Sequence, residues 1–193
     1  MRSDTLMDVF RPETKNSAFI YDLTLVLGAT VFIALSAQVA IPVPFSPVPI
    51  TGQTLAVLLT GALLGSRLGA LAVLLYLLEG SLGLPVFAGA QTGIIHLFGP
   101  TGGYLAGFVP AVYLTGYLAE RGWDRRVGRA LFIFSAGTIL IFLCGLVWLW
   151  QFTTWAQLAG VGLWPFLPGA FLKIISAALL APVLRRFFAR SPE

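Results

Sequence analysis

Charge in this chain collects between long apolar runs and is nearly absent inside them. A membrane-crossing helix needs about 20 apolar residues to traverse about 30 Å of hydrocarbon. Tyr21–Ile41 meets that length, and the proline-rich PVPFSPVPITG (Pro42–Gly52) ends it. Gln53–Gly65 and Leu68–Glu79 are shorter runs separated by Gly65-Ser66-Arg67, and a glycine-rich stretch, Gly80–Gly103, follows. Tyr104–Ala119, Ala130–Trp150 and a run from Pro168 to about Phe188 complete the series, with the basic RGWDRRVGR (Arg121–Arg129) between the first two.

Whether Gln53–Glu79 crosses once or twice decides the topology. Positive charge gathers at the cytoplasmic ends of membrane helices. With two crossings, eleven of the twelve basic residues share one side: Arg2, Arg11, Lys15, Arg67, Arg121, Arg125, Arg126, Arg129, Arg185, Arg186 and Arg190. With one crossing, the Arg121–Arg129 cluster faces the opposite side from the N-terminal basic residues. The expectation is therefore an all-α polytopic membrane protein of six transmembrane helices with both termini cytoplasmic. It forms a single integral membrane domain over 1–193: a cytoplasmic segment 1–20, a bundle 21–188 and a tail 189–193.

Composition agrees with this pattern. The chain is 58% hydrophobic and 10% charged, against about 45–50% and about 25% in soluble domains. The net charge of +4 sits at membrane edges, so nucleic acid is not a partner. The first apolar run has no good small-x-small cleavage site and is read as an uncleaved helix. An amphipathic fragment, Leu6–Phe10, can lie on the membrane surface before Pro12 stops it. Cys144 is the one cysteine, inside an apolar run, and reads as a small core residue.

Helices of about 13 residues reach only about 20 Å. The outer half of the bundle must be completed by the loops Pro42–Gly52 and Gly80–Gly103. Irregular backbone at membrane depth is tolerated where protein buries it or where it lines a cavity. The sequence thus calls for an outward-facing cavity roofed by long loops.

Few polar residues remain to line it. Lys173 is the twelfth basic residue, about one turn into the last helix. Its two readings are a partner for a ligand carboxylate and a side chain snorkelling to the outer interface. Glu79 can accept from a ligand N–H, pair with Lys173 or cap its helix. Gln38, Gln53 and Gln91 offer both donors and acceptors, as ligand contacts or as loop anchors. His96 reads as a loop hydrogen-bonder. Phe45, Phe87 and Tyr104 sit in or beside the roof and can stack on a ligand, whereas Trp148, Trp150, Trp155 and Trp164 read as an interfacial belt. Thr30, Ala34 and Ala37 form a small-residue stripe on the first helix, suited to a partner helix or to internal packing. GPTGGY (Gly99–Tyr104) is no phosphate loop, since no GK[ST] follows it, and no dinucleotide fingerprint occurs. Energy for any transport must come from a partner or an ion gradient.

Four segments, PVPFSPVPITGQTLAVLLTGALLG (Pro42–Gly65), GLPVFAG (Gly83–Gly89), GPTGGYLAGF (Gly99–Phe108) and PFLPGAFLK (Pro165–Lys173), resemble the BioY family of biotin transporters. These are the substrate-binding (S) components of energy-coupling factor transporters, and the resemblance runs from about the first helix to the last. It implies a six-helix biotin binder of a prokaryotic plasma membrane. Its partners are a transmembrane coupling (T) subunit and two ABC-type ATPases, and no cofactor is implied. The site residues expected on this reading are Lys173, Gln91, Gln53, Glu79, Phe87, Gly89 and Tyr104. Two positions depart from the family pattern. Ala170 stands where PGDxxK carries its acid, and Gln91 where the roof loop commonly carries an arginine. The rival readings are an S-type component for another small vitamin or carboxylate, an intramembrane enzyme using Glu79 and His96, and a purely structural subunit.

Overall fold

The computed structural model describes Thr5 and residues 11–188, the side chains of 186–188 excepted. The expected surface fragment Leu6–Phe10, Arg2, Arg190 and the 189–193 tail lie outside the described residues, as does the Arg186 side chain.

Helix α1, Lys15–Gln38, begins beyond Pro12 and stops before the proline-rich strap, where the missing N–H groups and fixed φ of proline oppose helix. A two-residue ribbon closes that strap: β1 (Ala40–Ile41) pairs antiparallel with β2 (Ile50–Thr51), with Ala40 opposite Thr51. Ser46 Oγ pins the strap, donating to the Val161 carbonyl at 2.6 Å.

Helix α2, Gln53–Ser81, reverses direction at Gly65, whose φ of 82° and ψ of −178° suit glycine alone. Gln53 Nε2 lies 2.5 Å from the Tyr76 hydroxyl. Twenty-three residues of continuous helix would separate them by about 34 Å. A Cβ on Gly69 would lie 3.3 Å from the Gly61 Cα, where a straight helix would leave about 12 Å. The two legs, 53–64 and 66–81, therefore run antiparallel, with Gly61 and Gly69 facing each other under Val112. Glu120 Oε1 caps the second leg, accepting from Ser66 N and Ser66 Oγ at 2.7 Å each.

The short helix α3, Ile95–Phe98, lies within the glycine-rich stretch. Helix α4, Gly102–Ala119, packs between the α2 hairpin and α5, Val127–Leu149. Its glycines let α5 approach closely: a Cβ on Gly107 would sit 2.9 Å from the Cys144 Cβ. Cys144 is half-buried in that seam. The wetter stretch after α5 holds a short helix, α6 (Trp155–Gly162), which the sequence pattern did not reveal. Helix α7, Leu167–Phe188, follows and carries Lys173.

Tyr76, Phe134, Ile33 and Ile141 are at most 1% exposed in the core, while Phe19, Leu35, Phe171 and Leu172 are more than 60% exposed. Exposed apolar surface on that scale belongs in lipid. By length and composition, Lys15–Gln38, Gln53–Ser81, Val127–Phe152 and Trp155–Arg185 suffice to cross a membrane. The reversal makes Gln53–Ser81 a pair of short legs. Basic residues gather at one end: Arg11, Lys15 and Arg67 line one recess with Glu120, and Arg185 Nε reaches Asp124 at 2.5 Å just beyond it.

Candidate functional site

A cavity opens at the other end of the bundle, between α7, the start of α2, α4, α5 and the roof segments. Its walls are aromatic and aliphatic. Tyr104 is 8% exposed and meets Phe142 and Phe166 at ring separations of 6.4 and 6.3 Å. The Tyr104 hydroxyl is already spent on the Gly162 carbonyl at 2.7 Å, so this side chain serves as apolar wall. Phe108 and Ile141 continue the same surface.

The polar groups sit at the edges. From α7, Lys173 Nζ donates to the Thr51 carbonyl and, at 3.0 Å, to Thr54 Oγ1. Among the described residues no carboxylate pairs with it. Ala170, one turn earlier on α7, also lines the cavity. Gln53 is 5% exposed; its Oε1 accepts from Thr51 Oγ1 at 3.0 Å and its Nε2 donates to Tyr76. That leaves one amide N–H for a ligand.

The roof is a braced strap. Tyr76 OH donates to the Val86 carbonyl at 3.0 Å, and Gln38 Nε2 donates to the Phe87 carbonyl at 3.2 Å. Ala90 N donates to Gln38 Oε1 at 2.9 Å. Phe87, 3% exposed, presents its ring to the cavity between Tyr76 and His96, in edge contacts of 5.7 and 6.1 Å. Gln91, His96 and Thr101 border both the cavity and a shallower outer recess, which the Gly89 backbone lines.

The structure thus brings Lys173, Gln91, Gln53, Phe87 and Tyr104 to one cavity. Two expected site residues are not among its lining. Glu79 faces α1, where Thr30 Oγ1 donates to its Oε1 at 3.2 Å, because Tyr76 and Phe87 occupy the cavity side of that leg. Gly89 belongs to the outer recess alone. Phe45 is 65% exposed on the proline strap and stacks on nothing in the cavity. Of the two readings of the small-residue stripe, the structure shows internal packing: Thr30 is 2% and Ala37 0% exposed, and Ala34 is half-buried against the core. Trp148 is half-buried and braces the roof, donating from Nε1 to the Gly99 carbonyl at 2.9 Å. Thr54, Phe108, Thr138, Phe142 and Phe166 also line the cavity. Only the fold could find them, since in sequence the first four are ordinary residues of apolar runs and Phe166 sits in the short turn before α7.

Apolar helices with lipid-facing surfaces, closed at one face over a largely apolar cavity with Lys173 in its wall, define a membrane protein with a site for a small molecule. The chain belongs to the BioY family, whose profile matches residues 8–190. The biotin transporter BioY of Rhizobium etli is 39% identical over 168 residues, covering 80% of this chain and 87% of that protein. The biotin transporter BioY of Thermotoga maritima is 38% identical, covering 83% and 95% respectively. A probable biotin transporter BioY of Pyrococcus horikoshii is 37% identical, covering 80% and 91%. The fold matches a crystal structure of the S-component for biotin from an ECF-type ABC transporter, with a TM-score of 0.78 and 27% identity. That match covers 91% of this chain and 95% of the other.

Proposed function

We propose that this chain is the biotin-binding S component of an energy-coupling factor uptake system, capturing biotin at the outer face of a prokaryotic plasma membrane. Biotin offers a carboxylate at one end, an apolar chain and ring sulfur in the middle, and a ureido group with N–H donors and a carbonyl at the other. The observation that carries the reading is Lys173: its ammonium stands in the cavity wall with neutral partners only among the described residues. A ligand carboxylate completes that site, and the aromatic wall takes the apolar middle.

α1, the two legs of α2, α4, α5 and α7 serve as six transmembrane segments, with both termini cytoplasmic. The collection of Arg11, Lys15, Arg67 and Arg185 at the end opposite Lys173 supports this orientation. A transmembrane coupling subunit and two ABC-type ATPase subunits then drive release inward, supplying the nucleotide-binding motif that this sequence lacks.

Ala170 favours a second reading. It lines the cavity without a hydrogen-bonding side chain, so ureido N–H groups must find another acceptor, or the ligand is a different small carboxylate. Mass spectrometry of ligand released from protein purified out of vitamin-replete cells decides between them. Stoichiometric biotin supports the first reading; another carboxylate supports the second.

A further inference from the structure

The segment joining α4 to α5, with the first turn of α5, carries Arg121, Arg125, Arg126 and Arg129, with Glu120 and Asp124 as the acids beside them. Both acids are turned into the fold. Asp124 is 1% exposed and is ion-paired to Arg185, which also donates to the Ala119 carbonyl at 3.1 Å. Glu120 caps the second leg of α2 through Ser66. The four arginines are all exposed, and among the described residues none of them is ion-paired to a carboxylate. The fold thus hides the negative charge of this segment and leaves its positive charge outside.

The surroundings of those arginines are the lipid-facing ends of α4 and α5. Tyr113 and Tyr117 stack at 6.4 Å on α4, 50% and 38% exposed, and the Arg121 guanidinium lies 3.3 Å from the centre of the Tyr117 ring. Trp123 packs on Phe132, itself 56% exposed, with Arg129 6.0 Å from the indole. Aromatic rings of this kind settle at the level of lipid headgroups. The Arg121 and Arg129 guanidinium groups therefore lie in the plane where phosphates are found, and Arg125 and Arg126 are exposed on the segment between them.

We propose that this segment is a binding surface for the headgroups of anionic phospholipids. Arginine forks match phosphate oxygens bidentately, and the adjoining rings lie alongside the upper acyl chains. Juxtamembrane basic clusters gain attraction with each charge near an anionic surface. An acidic protein surface is the competing occupant. The continuity of the charges with the exposed faces of Tyr113 and Phe132 favours lipid.

The test offers equal amounts of phosphatidylglycerol and phosphatidylcholine to the detergent-purified full chain and counts retained lipid by native mass spectrometry. Wild type should retain phosphatidylglycerol over phosphatidylcholine about fivefold or more, and inorganic phosphate should not displace it. The combined Arg121→Gln, Arg125→Gln, Arg126→Gln and Arg129→Gln variant should lose the preference while melting as wild type does. The matching lysine set should keep most of it, and Lys15→Gln with Arg67→Gln should leave it intact. Should the fourfold variant fail to fold, Arg125→Gln and Arg126→Gln singly should each lower the preference. Equal retention of both lipids by wild type overturns the proposal, as does an undiminished preference in the glutamine variants. A glutamine set that keeps the preference yet loses association with coupling subunits assigns the surface to a protein instead.

Discussion

Lys173 on α7 and Thr54 on the first leg of α2 meet at 3.0 Å across the cavity wall, and the same ammonium reaches the Thr51 carbonyl. Both partners are neutral, so they fix the position of the charge without cancelling it. An ammonium has three N–H donors, and the two contacts leave one for a ligand oxygen.

Removing that charge should be costly for binding and cheap for folding. Lys173→Ala should weaken biotin about tenfold to a hundredfold, the worth of a hydrogen bond to a charged group. Thr54→Val should cost a few-fold by releasing one anchor. Calorimetric dissociation constants check both, and an unchanged value for Lys173→Ala rejects the role.

Ala170 and Gln91 should prove to be coupled. Ala170→Asp alone places an acid one turn from Lys173, where it competes for the ammonium, and should weaken biotin several-fold. Adding Gln91→Arg should restore affinity by more than the single effects sum to. The double-mutant coupling should exceed about 0.5 kcal/mol, as for residues in one network; simple additivity contradicts the pairing.

Glu79 faces α1 through Thr30 and not the cavity. Glu79→Gln should leave the biotin dissociation constant within about twofold, because an amide of the same shape can still accept from Thr30. A loss of tenfold or more would return Glu79 to the site.

The reversal at Gly65 should be intolerant of a side chain. A Cβ there would lie 2.8 Å from Glu120 Oε1 at a φ of 82°, and the backbone conformation alone costs non-glycine residues about 1–3 kcal/mol. Gly65→Ala should lower the Tm in detergent by several degrees. Glu120→Gln should lower it less, since the amide oxygen can still accept from Ser66.

Tyr76→Phe should loosen the roof. The hydroxyl accepts from Gln53 and donates to the Val86 carbonyl, so its loss strands buried groups at about 1–3 kcal/mol. Biotin should dissociate faster, read by exchange of labelled for unlabelled ligand. Equal exchange rates would detach the brace from binding.

Much of the architecture was legible because the bilayer leaves so few solutions. Apolar run lengths and the placement of arginines led to the two-leg reading of Gln53–Glu79, and the Gly61–Gly69 contact matches it. Lys173 was legible as a cation stranded among apolar residues. What escaped depends on helix rotation, which a run of uniformly apolar residues does not encode. Glu79 lies within one turn of Tyr76, yet the two look towards different neighbours. The Thr30–Ala37 stripe faces inward for the same reason, and α6 escaped because eight residues within a polar linker carry too little pattern.

The most direct test of the central claim is calorimetric titration of the purified chain with biotin and with biotin methyl ester. Biotin should bind saturably at one site per chain, with at least a tenfold loss for the ester, a loss that disappears in Lys173→Ala. Equal affinity for both ligands, or no biotin binding by a folded sample, would contradict that claim.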